Sequence, residues 1–317
     1  MENLTHTLVG LMLARVGLEK STMRGAGMMM LAANAPDIDA VTWFSNTTVY
    51  LEYHRGFTHT LAFMPVMALL PMLLVRAKFS LRTWLASMAA VLSHLLLDWT
   101  NAYGIPLLMP LSQRRWRLDI VNIVDIWAWA ILLGAVTATL LVTLVSKEMG
   151  SRDAGGPRRT WAWAALVLLI SYELLRFFLH ARAVGVMEAR LYDGDPPARV
   201  TALPGAIDPW RWRGVIETRN GENGFVTIVP VDLREPFNAS SGRRYPVLAH
   251  TTEMDRALET KPFRVFSNFA QLPYWQYSKT EDGMALALMD LRFGDPGNLG
   301  FGGVRALVDA SGKVTPR

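Results

Sequence analysis

Apolar residues gather into six blocks over the first 180 positions, separated by short stretches that hold most of the charge. The blocks are residues 7–18, 23–35, 59–75, 81–97, 123–145 and 161–179. A helix needs roughly 20 apolar residues to cross a hydrocarbon core of about 30 Å, and the fifth and sixth blocks reach that length unaided. Extended back to residue 54, the third is long enough too, with Pro65 and Pro71 expected to kink it. The first two are short, and are expected to be tilted, re-entrant or shielded by neighbours. The pattern predicts an α-helical polytopic membrane domain of about five to six membrane helices, residues 1–180.

The pattern changes after residue 180. Residues 183–191 can prolong the last helix, and Pro196-Pro197 and Pro204-Gly205 then punctuate a connector. Residues 211–218 and 225–233 show the β-branched content and partial alternation of strands, around a turn-forming stretch at 220–224. Residues 252–272 read as a helix with Thr252 as a cap. Residues 274–278, 284–292 and 302–308 alternate again, around Glu281-Asp282-Gly283 and Asp295-Pro296-Gly297-Asn298. The expectation is a small soluble α+β domain, residues 181–317, outside the membrane.

Composition sharpens this division. Half of the residues, 51%, are hydrophobic, and the mean hydropathy of +0.20 is carried by the first part of the chain. The net charge of +5 would suggest nucleic acid in a soluble protein. Here the basic residues sit in short loops between apolar blocks, which is the pattern of topology signals and argues against nucleic acid as a partner. The absence of cysteine excludes disulfides and thiolate metal sites. The first residues lack the positive region of a cleavable signal, so they are expected to stay on the mature protein.

If the blocks run up and down in order, the residues with chemistry fall on one side. His6 opens the first block, Asp37 and Asp39 follow the second, and His54 and His59 open the third. His94 and Asp98 close the fourth, and Asp125 opens the fifth. The opposite loops carry Lys20 and Arg24, then Arg76, Lys78 and Arg82, then Lys147, Arg152, Arg158 and Arg159. By the positive-inside rule those loops are cytoplasmic, so the site and the C-terminal domain face outward. Arg114, Arg115 and Arg117, in an outward loop, stand against that orientation.

Each of these residues has an ordinary reading beside the chemical one. His94 and Asp98, spaced i, i+4, share a helix face and can hold an ion together or satisfy one another. Asp37 and Asp39 follow Pro36 in a helix-ending turn, where they can supply hard oxygen ligands or cap and solvate the turn. His54 and His59 need a turn at Gly56 to point the same way. Arg55 offers a charged fork of donors for phosphate or carboxylate, or for lipid headgroups. Thr100, Asn101 and Tyr103 can supply supporting hydrogen bonds. Asp119 and Asp125 can be a late ligand, a helix cap, or partners of nearby arginines. His180 and His250 are read as structural or surface residues.

Taken together, His6, Asp37, His54, His59, His94 and Asp98 are the candidate metal ligands, with Arg55 and Asp39 as candidate catalytic groups. Imidazole and carboxylate without thiol suit a divalent metal: zinc, with manganese or iron as alternatives. The number of ligands exceeds what one ion takes from protein, so a dinuclear site is also open.

Thr5-His6, Pro36-Asp37-Ile38-Asp39, His54-Arg55-Gly56-Phe57-Thr58-His59 and His94-Leu95-Leu96-Leu97-Asp98, followed by Asn101 and Tyr103-Gly104, occur in this order. Together they resemble the YdjM-type family of predicted inner-membrane metal-dependent hydrolases, over about the first 145 residues. The stretch from Pro262-Phe263-Arg264 to Asp290-Leu291-Arg292-Phe293-Gly294 resembles a C-terminal extension of some members. A fainter similarity is to zinc-dependent phospholipase C, which also uses H-x-x-x-D on a helix. The resemblance implies a multipass protein of the bacterial inner membrane and a metal hydrolase.

The expected activity is hydrolysis of an ester or phosphoester of a lipid or lipid-linked molecule, with membrane lipid as a partner. The rival expectation is a non-catalytic membrane module that binds metal or headgroups and presents the C-terminal domain to a partner. A transporter is the weaker third reading, because the charged residues gather at one face.

Overall fold

The computed structural model describes residues 1–149, 156–220, 223–281, 283–298 and 302–316. Arg152, in the last of the basic loops, and parts of the turns expected at 220–224 and 281–283 lie outside the described residues. The chain divides into two compact units, which interleave along the sequence. The first comprises Met1–Ala40, Arg55–His180 and Pro204–Pro209, and the second Val41–His54, Ala181–Leu203 and Trp210–Arg317.

The first unit is helical. Helix α1 (Asn3–Arg15) packs lengthwise on α2 (Gly25–Ala32), which a 3-10 stretch, Ala35–Phe44, continues. Glu2 caps α1 by accepting from the backbone of Leu4 and Thr5. Between the units' alternating segments lies α3 (Thr47–Tyr53), which belongs to the second unit. A 3-10 turn, Phe57–His59, then leads into α4 (Met64–Met67) and α5 (Leu69–Leu74). Helix α6 (Leu81–Thr100) starts at Ser80, whose hydroxyl accepts from Thr83 N at 3.1 Å. Helices α7 (Ile126–Glu148) and α8 (Gly156–Glu188) are the long apolar ones.

Two clusters of buried side chains hold this unit. In one, Val9 and Met12 of α1, Leu97 of α6, Leu132 of α7 and Ala165 and Leu169 of α8 pack together. In the other, Ala14, Met28, Met29, Ala32 and Ala33 meet Met67, Ala68 and Met72 and the Ala86, Ala90, Val91 face of α6. The alanines allow close helix approach, and the methionines fill the irregular gaps left between short helices. At Gly10 the approach of α2 is closest: a Cβ there would lie 2.7 Å from the Met29 carbonyl oxygen and 2.9 Å from the Ala33 Cβ.

The number of membrane helices expected from the sequence is corrected. Among the described residues, two helices are long and apolar enough to span, Ile126–Glu148 and Arg158–Glu188, or three if a bent pair over 47–59 and 64–74 counts as one span. The reasons are local. At 1.5 Å per residue, α1 is about 20 Å long and α2 about 12 Å, too short for a core of about 30 Å. Pro65 and Pro71 divide the third block into two short helices where a kinked long one was expected. Helix α6 has the length, but Arg82, Ser87, Ser93, His94 and Asp98 lower its hydropathy.

The second unit is corrected as well: in place of a small α+β domain it is built on two four-stranded antiparallel sheets. The first sheet runs in the order β1 (Pro197–Pro204), β2 (Arg211–Asn220), β3 (Asn223–Asp232) and β4 (Arg243–Val247). The β2–β3 register pairs Arg211 with Asp232 and Asn220 with Asn223. The helix expected over 252–272 is two short ones, α9 (Thr252–Glu259) and α10 (Lys261–Phe269), divided at Thr260 ahead of Pro262. The second sheet follows: β5 (Pro273–Thr280), β6 (Gly283–Asp290), β7 (Gly303–Asp309) and β8 (Val314–Pro316). Helix α10 buries Phe263, Phe266 and Phe269 and packs on β6, β7 and α3. Its Lys261 pairs with Glu52 of α3 at 2.7 Å. The Arg292 side chain lies buried against the rings of Phe269 and Phe293 and is neutralised by Asp290 at 2.8 Å.

The α1–α2 contact yields a direct test. Gly10→Val should lower the stability of the detergent-solubilised protein by about 1–3 kcal/mol through overpacking. Gly134→Ala in α7, where a Cβ meets nothing within 4 Å, should leave it unchanged or slightly raised. Thermal unfolding of the two variants beside the parent protein separates these outcomes.

Candidate metal centre

The chain turns that bring the polar residues together follow from the local sequence. Helix α2 ends at Ala33, and its last carbonyls have no partner within the helix. The 3-10 stretch that carries Asp37 and Asp39 then begins at Ala35, with Pro36 in its first turn. The turn before His59 puts Arg55 in the left-handed region, φ 53°. It thus falls one residue before Gly56, where the sequence suggested it. The Asp39 carboxylate holds it by accepting from the Arg55 backbone N–H at 2.9 Å. On α6 the i, i+4 spacing puts His94 and Asp98 on one face.

The result is a buried group of four donors from Asp37, His59, His94 and Asp98, all within 4.8 Å of one another. His59 and His94 face each other through their Nε2 atoms at 3.1 Å. Asp37 Oδ1 lies 3.3 Å from His59 Nε2 and 3.7 Å from His94 Nε2. Asp98 Oδ2 lies 3.5 and 3.6 Å from the same two nitrogens. Four ligands at about 2.0–2.1 Å from an ion, at tetrahedral angles, stand about 3.3–3.4 Å apart. The observed separations bracket that value.

The protons on the two imidazoles can be placed from their partners. His94 Nδ1 is 2.7 Å from the Ala33 carbonyl oxygen, an acceptor, so Nδ1 carries the hydrogen. Thr58 donates its hydroxyl proton to Asp39 Oδ2 at 2.5 Å. His59 Nδ1 lies against acceptor lone pairs, from Thr58 Oγ1 at 3.0 Å and Asp39 Oδ2 at 3.2 Å, which place a hydrogen on it. As neutral imidazoles, the two rings then turn their Nε2 lone pairs toward each other and toward two carboxylates. Such a pocket is repulsive by itself and is satisfied by a cation in its middle. The residues present fit a divalent metal.

The surrounding residues orient this set. Asp98 Oδ1, turned away from the histidines, accepts from Arg55 Nη2 at 3.0 Å and Asn101 Nδ2 at 3.1 Å, and the Met1 amino nitrogen lies against it. Asp98 Oδ2 makes no hydrogen bond among the described residues. The Arg55 guanidinium also donates to Met1 O at 3.1 Å and lies 4.4 Å from the centre of the Tyr103 ring. It is thereby placed to hold Asp98. His6 is fully buried, stacks on His94 at 3.7 Å and brings Nε2 to 3.5 Å from Asp98 Oδ1. Neither of its ring nitrogens makes a hydrogen bond among the described residues.

Of the residues singled out in the sequence, the first unit thus joins Asp37, His59, His94 and Asp98 as donors. His6 lies beside them, Asp39 behind His59, and Arg55 behind Asp98. His54 belongs to the second unit, where its ring stacks on Tyr50 at 4.4 Å. Asn101 takes the supporting role proposed for it. Asp119 pairs with Arg117, and Asp125 caps α7 through Trp127 N and Ala128 N while accepting from Tyr172. Sequence reasoning missed the Ala33 carbonyl and the Thr58 hydroxyl. The first has no side-chain signature at all. The second lay inside the quoted motif, and its neighbours Asp39 and His59 could have flagged it only once known to be adjacent.

Burial dominates the titration of the centre. It pushes the His94 imidazole down to about 3, against the opposing charge of Asp37, and His6 is likewise driven well below its usual value, first by burial and then by His94. For Asp37 burial acts upward, but its neighbours His59, His94 and Arg55 outweigh it and leave the carboxyl below its usual range.

Two helices long and apolar enough to span a membrane and a buried His/Asp cluster define the class: a membrane protein with a candidate metal centre. The chain belongs to the YdjM inner membrane protein family, whose model matches residues 1–183. It is also 25% identical over 320 residues to the uncharacterized protein YfhP of Bacillus subtilis (strain 168), covering 95% of this chain and 89% of that protein. No solved structure matches it.

Two outcomes are expected. His59→Ala and His94→Ala should each abolish retention of a divalent metal by the purified protein, while Asp39→Asn should weaken it about 10–100-fold, as measured by elemental analysis against a competing chelator. Because His94 holds its proton less tightly when folded, the unfolded chain binds more protons between pH 6.5 and about 3. The His94 contribution to stability should therefore be level above pH 6.5 and fall as the pH drops below it, a contribution that His94→Gln removes in thermal unfolding of the chelated protein.

Proposed function

We propose that this protein is a membrane-bound, metal-dependent hydrolase acting on an ester or phosphoester of a lipid or lipid-linked molecule. The observation that supports it is the pair of imidazole Nε2 lone pairs opposed at 3.1 Å, flanked by two carboxylates at tetrahedral spacing. Asp37, His59, His94 and Asp98 would hold the ion. Two nitrogens, two oxygens and that spacing favour zinc over manganese or iron. A divalent ion bound there supplies Lewis acidity toward water and toward an ester or phosphoryl oxygen.

The chain's own residues do the rest. Ala33 O and Asp39 keep the Nδ1 protons in place, so that both imidazoles present Nε2. Arg55 and Asn101 bind Asp98 Oδ1 and leave Oδ2 to face the centre. Their positive and polar contacts offset the excess of buried negative charge. His6, with Nε2 at 3.5 Å from Asp98 Oδ1, stacks on His94 and holds that ring in place beside the centre. Membership of an inner membrane family and the two apolar helices favour a substrate that resides in the membrane.

The test is turnover by the purified full-length protein in nanodiscs, against a panel of phospholipids and lipid-linked phosphoesters supplied with zinc. Asp98→Asn should reduce turnover to background while the protein stays folded and membrane-inserted. A folded protein that retains no transition metal, or an Asp98→Asn variant as active as the parent, would falsify the proposal.

A further inference from the structure

A second feature of the first unit lies at the other end of α6, about 18 Å along the helix axis from His94 at 1.5 Å per residue. There the 3-10 turn Leu18–Ser21 and the first two turns of α6 enclose a groove of about 540 Å³. Leu18, Leu81, Leu85 and Ala86 form its apolar wall, with Ser21 and Arg82 also lining it. Leu81 and Leu85 are 65% and 50% exposed. The Ser21 hydroxyl is buried and makes no hydrogen bond among the described residues.

The groove is a built structure. Thr83 Oγ1 donates to the Ser21 carbonyl at 3.0 Å, and Arg24 Nη1 to the Val75 carbonyl at 3.5 Å, so two loops are joined around it. Gly25 lies so close beneath the turn that a Cβ there would overlap the Glu19 backbone. The joined loops are strongly basic: residues 15–25 and 76–82 hold Arg15, Lys20, Arg24, Arg76, Lys78 and Arg82 against one acid, Glu19.

An apolar groove with Arg82 in its lining and basic loops adjoining it, in a unit that carries two helices apolar enough to span a membrane, has one ligand chemistry that matches both parts. We propose that this groove binds an anionic glycerophospholipid, its acyl chain along Leu81 and Leu85 and its phosphate against Arg82. The apolar wall distinguishes it from a free-phosphate site, where leucines would contribute nothing. The adjoining basic loops distinguish it from a lipid-facing surface indifferent to headgroup, because anionic lipid concentrates beside clustered Lys and Arg. The assignment does not depend on the hydrolase reading, since none of its residues belongs to the metal centre.

The experiment measures lipid affinity of the full-length protein in neutral detergent, by native mass spectrometry and by the shift in unfolding temperature. The probes are dioleoyl phosphatidylglycerol, dioleoyl phosphatidylcholine and glycerol phosphate. Phosphatidylglycerol should bind and raise the unfolding temperature, and the other two should do so weakly. Arg82→Glu should cut phosphatidylglycerol affinity at least about fivefold, Arg82→Lys should largely keep it, and Leu85→Gln should reduce it about threefold. An unfolding temperature equal to the parent's in lipid-free detergent establishes that these variants are folded. Equal binding of the two phospholipids, equal stabilisation by glycerol phosphate, or an Arg82→Glu variant with parental affinity would each overturn the assignment.

Discussion

The two oxygens of the Asp98 carboxylate serve opposite partners, and the first unit is arranged around that division. One oxygen is bound by Arg55 and Asn101, and the other faces two imidazoles without a hydrogen bond among the described residues. A fully buried carboxylate is costly unless its charge is matched on every side. Arg55 supplies one side, and its left-handed backbone is held by Asp39, which also fixes the proton of His59. Asp39, Arg55, Asp98 and His59 therefore form a closed loop of mutual constraint. A change at any of them reaches the others through one or two contacts.

How much of this was legible in the sequence depended on the kind of signal involved. The i, i+4 pair on α6 and the histidine-containing motif announced themselves by residue type and spacing. The division of labour among those residues did not. Asp37 and Asp39 are equivalent on paper, and only the direction of the 3-10 stretch places Asp37 at the Nε2 side of His59 and Asp39 at its Nδ1 side.

The apolar blocks were legible as helices but misleading as spans. Block length counts residues, whereas a span requires an unbroken helix. Proline positions and polar residues placed for the centre shorten or dilute four of the six blocks. The short helices of the first unit are better understood as a scaffold, whose breaks supply a ligand or a supporting group at two places, Ala33 at the close of α2 and Phe57–His59 just ahead of α4. Farther along, alternation located the paired strands β2 and β3. The helix expected over 252–272 was divided by Thr260 and Pro262, a local break that hydrophobic periodicity does not record.

The interleaving of the two units carries a consequence for how this protein can be divided or evolve. Val41–His54 leaves the first unit just after Asp39, joins the second, and re-enters the first at Arg55. Its helix α3 packs on α10, two hundred residues later in the chain, and Lys261 ties the two by charge. Cutting the chain after residue 180 would therefore not remove a free-standing appendage. It would strand a helix whose ends lead directly into the two halves of the metal centre, so the long C-terminal segment and the short N-terminal insert are a matched pair that must be kept or lost together.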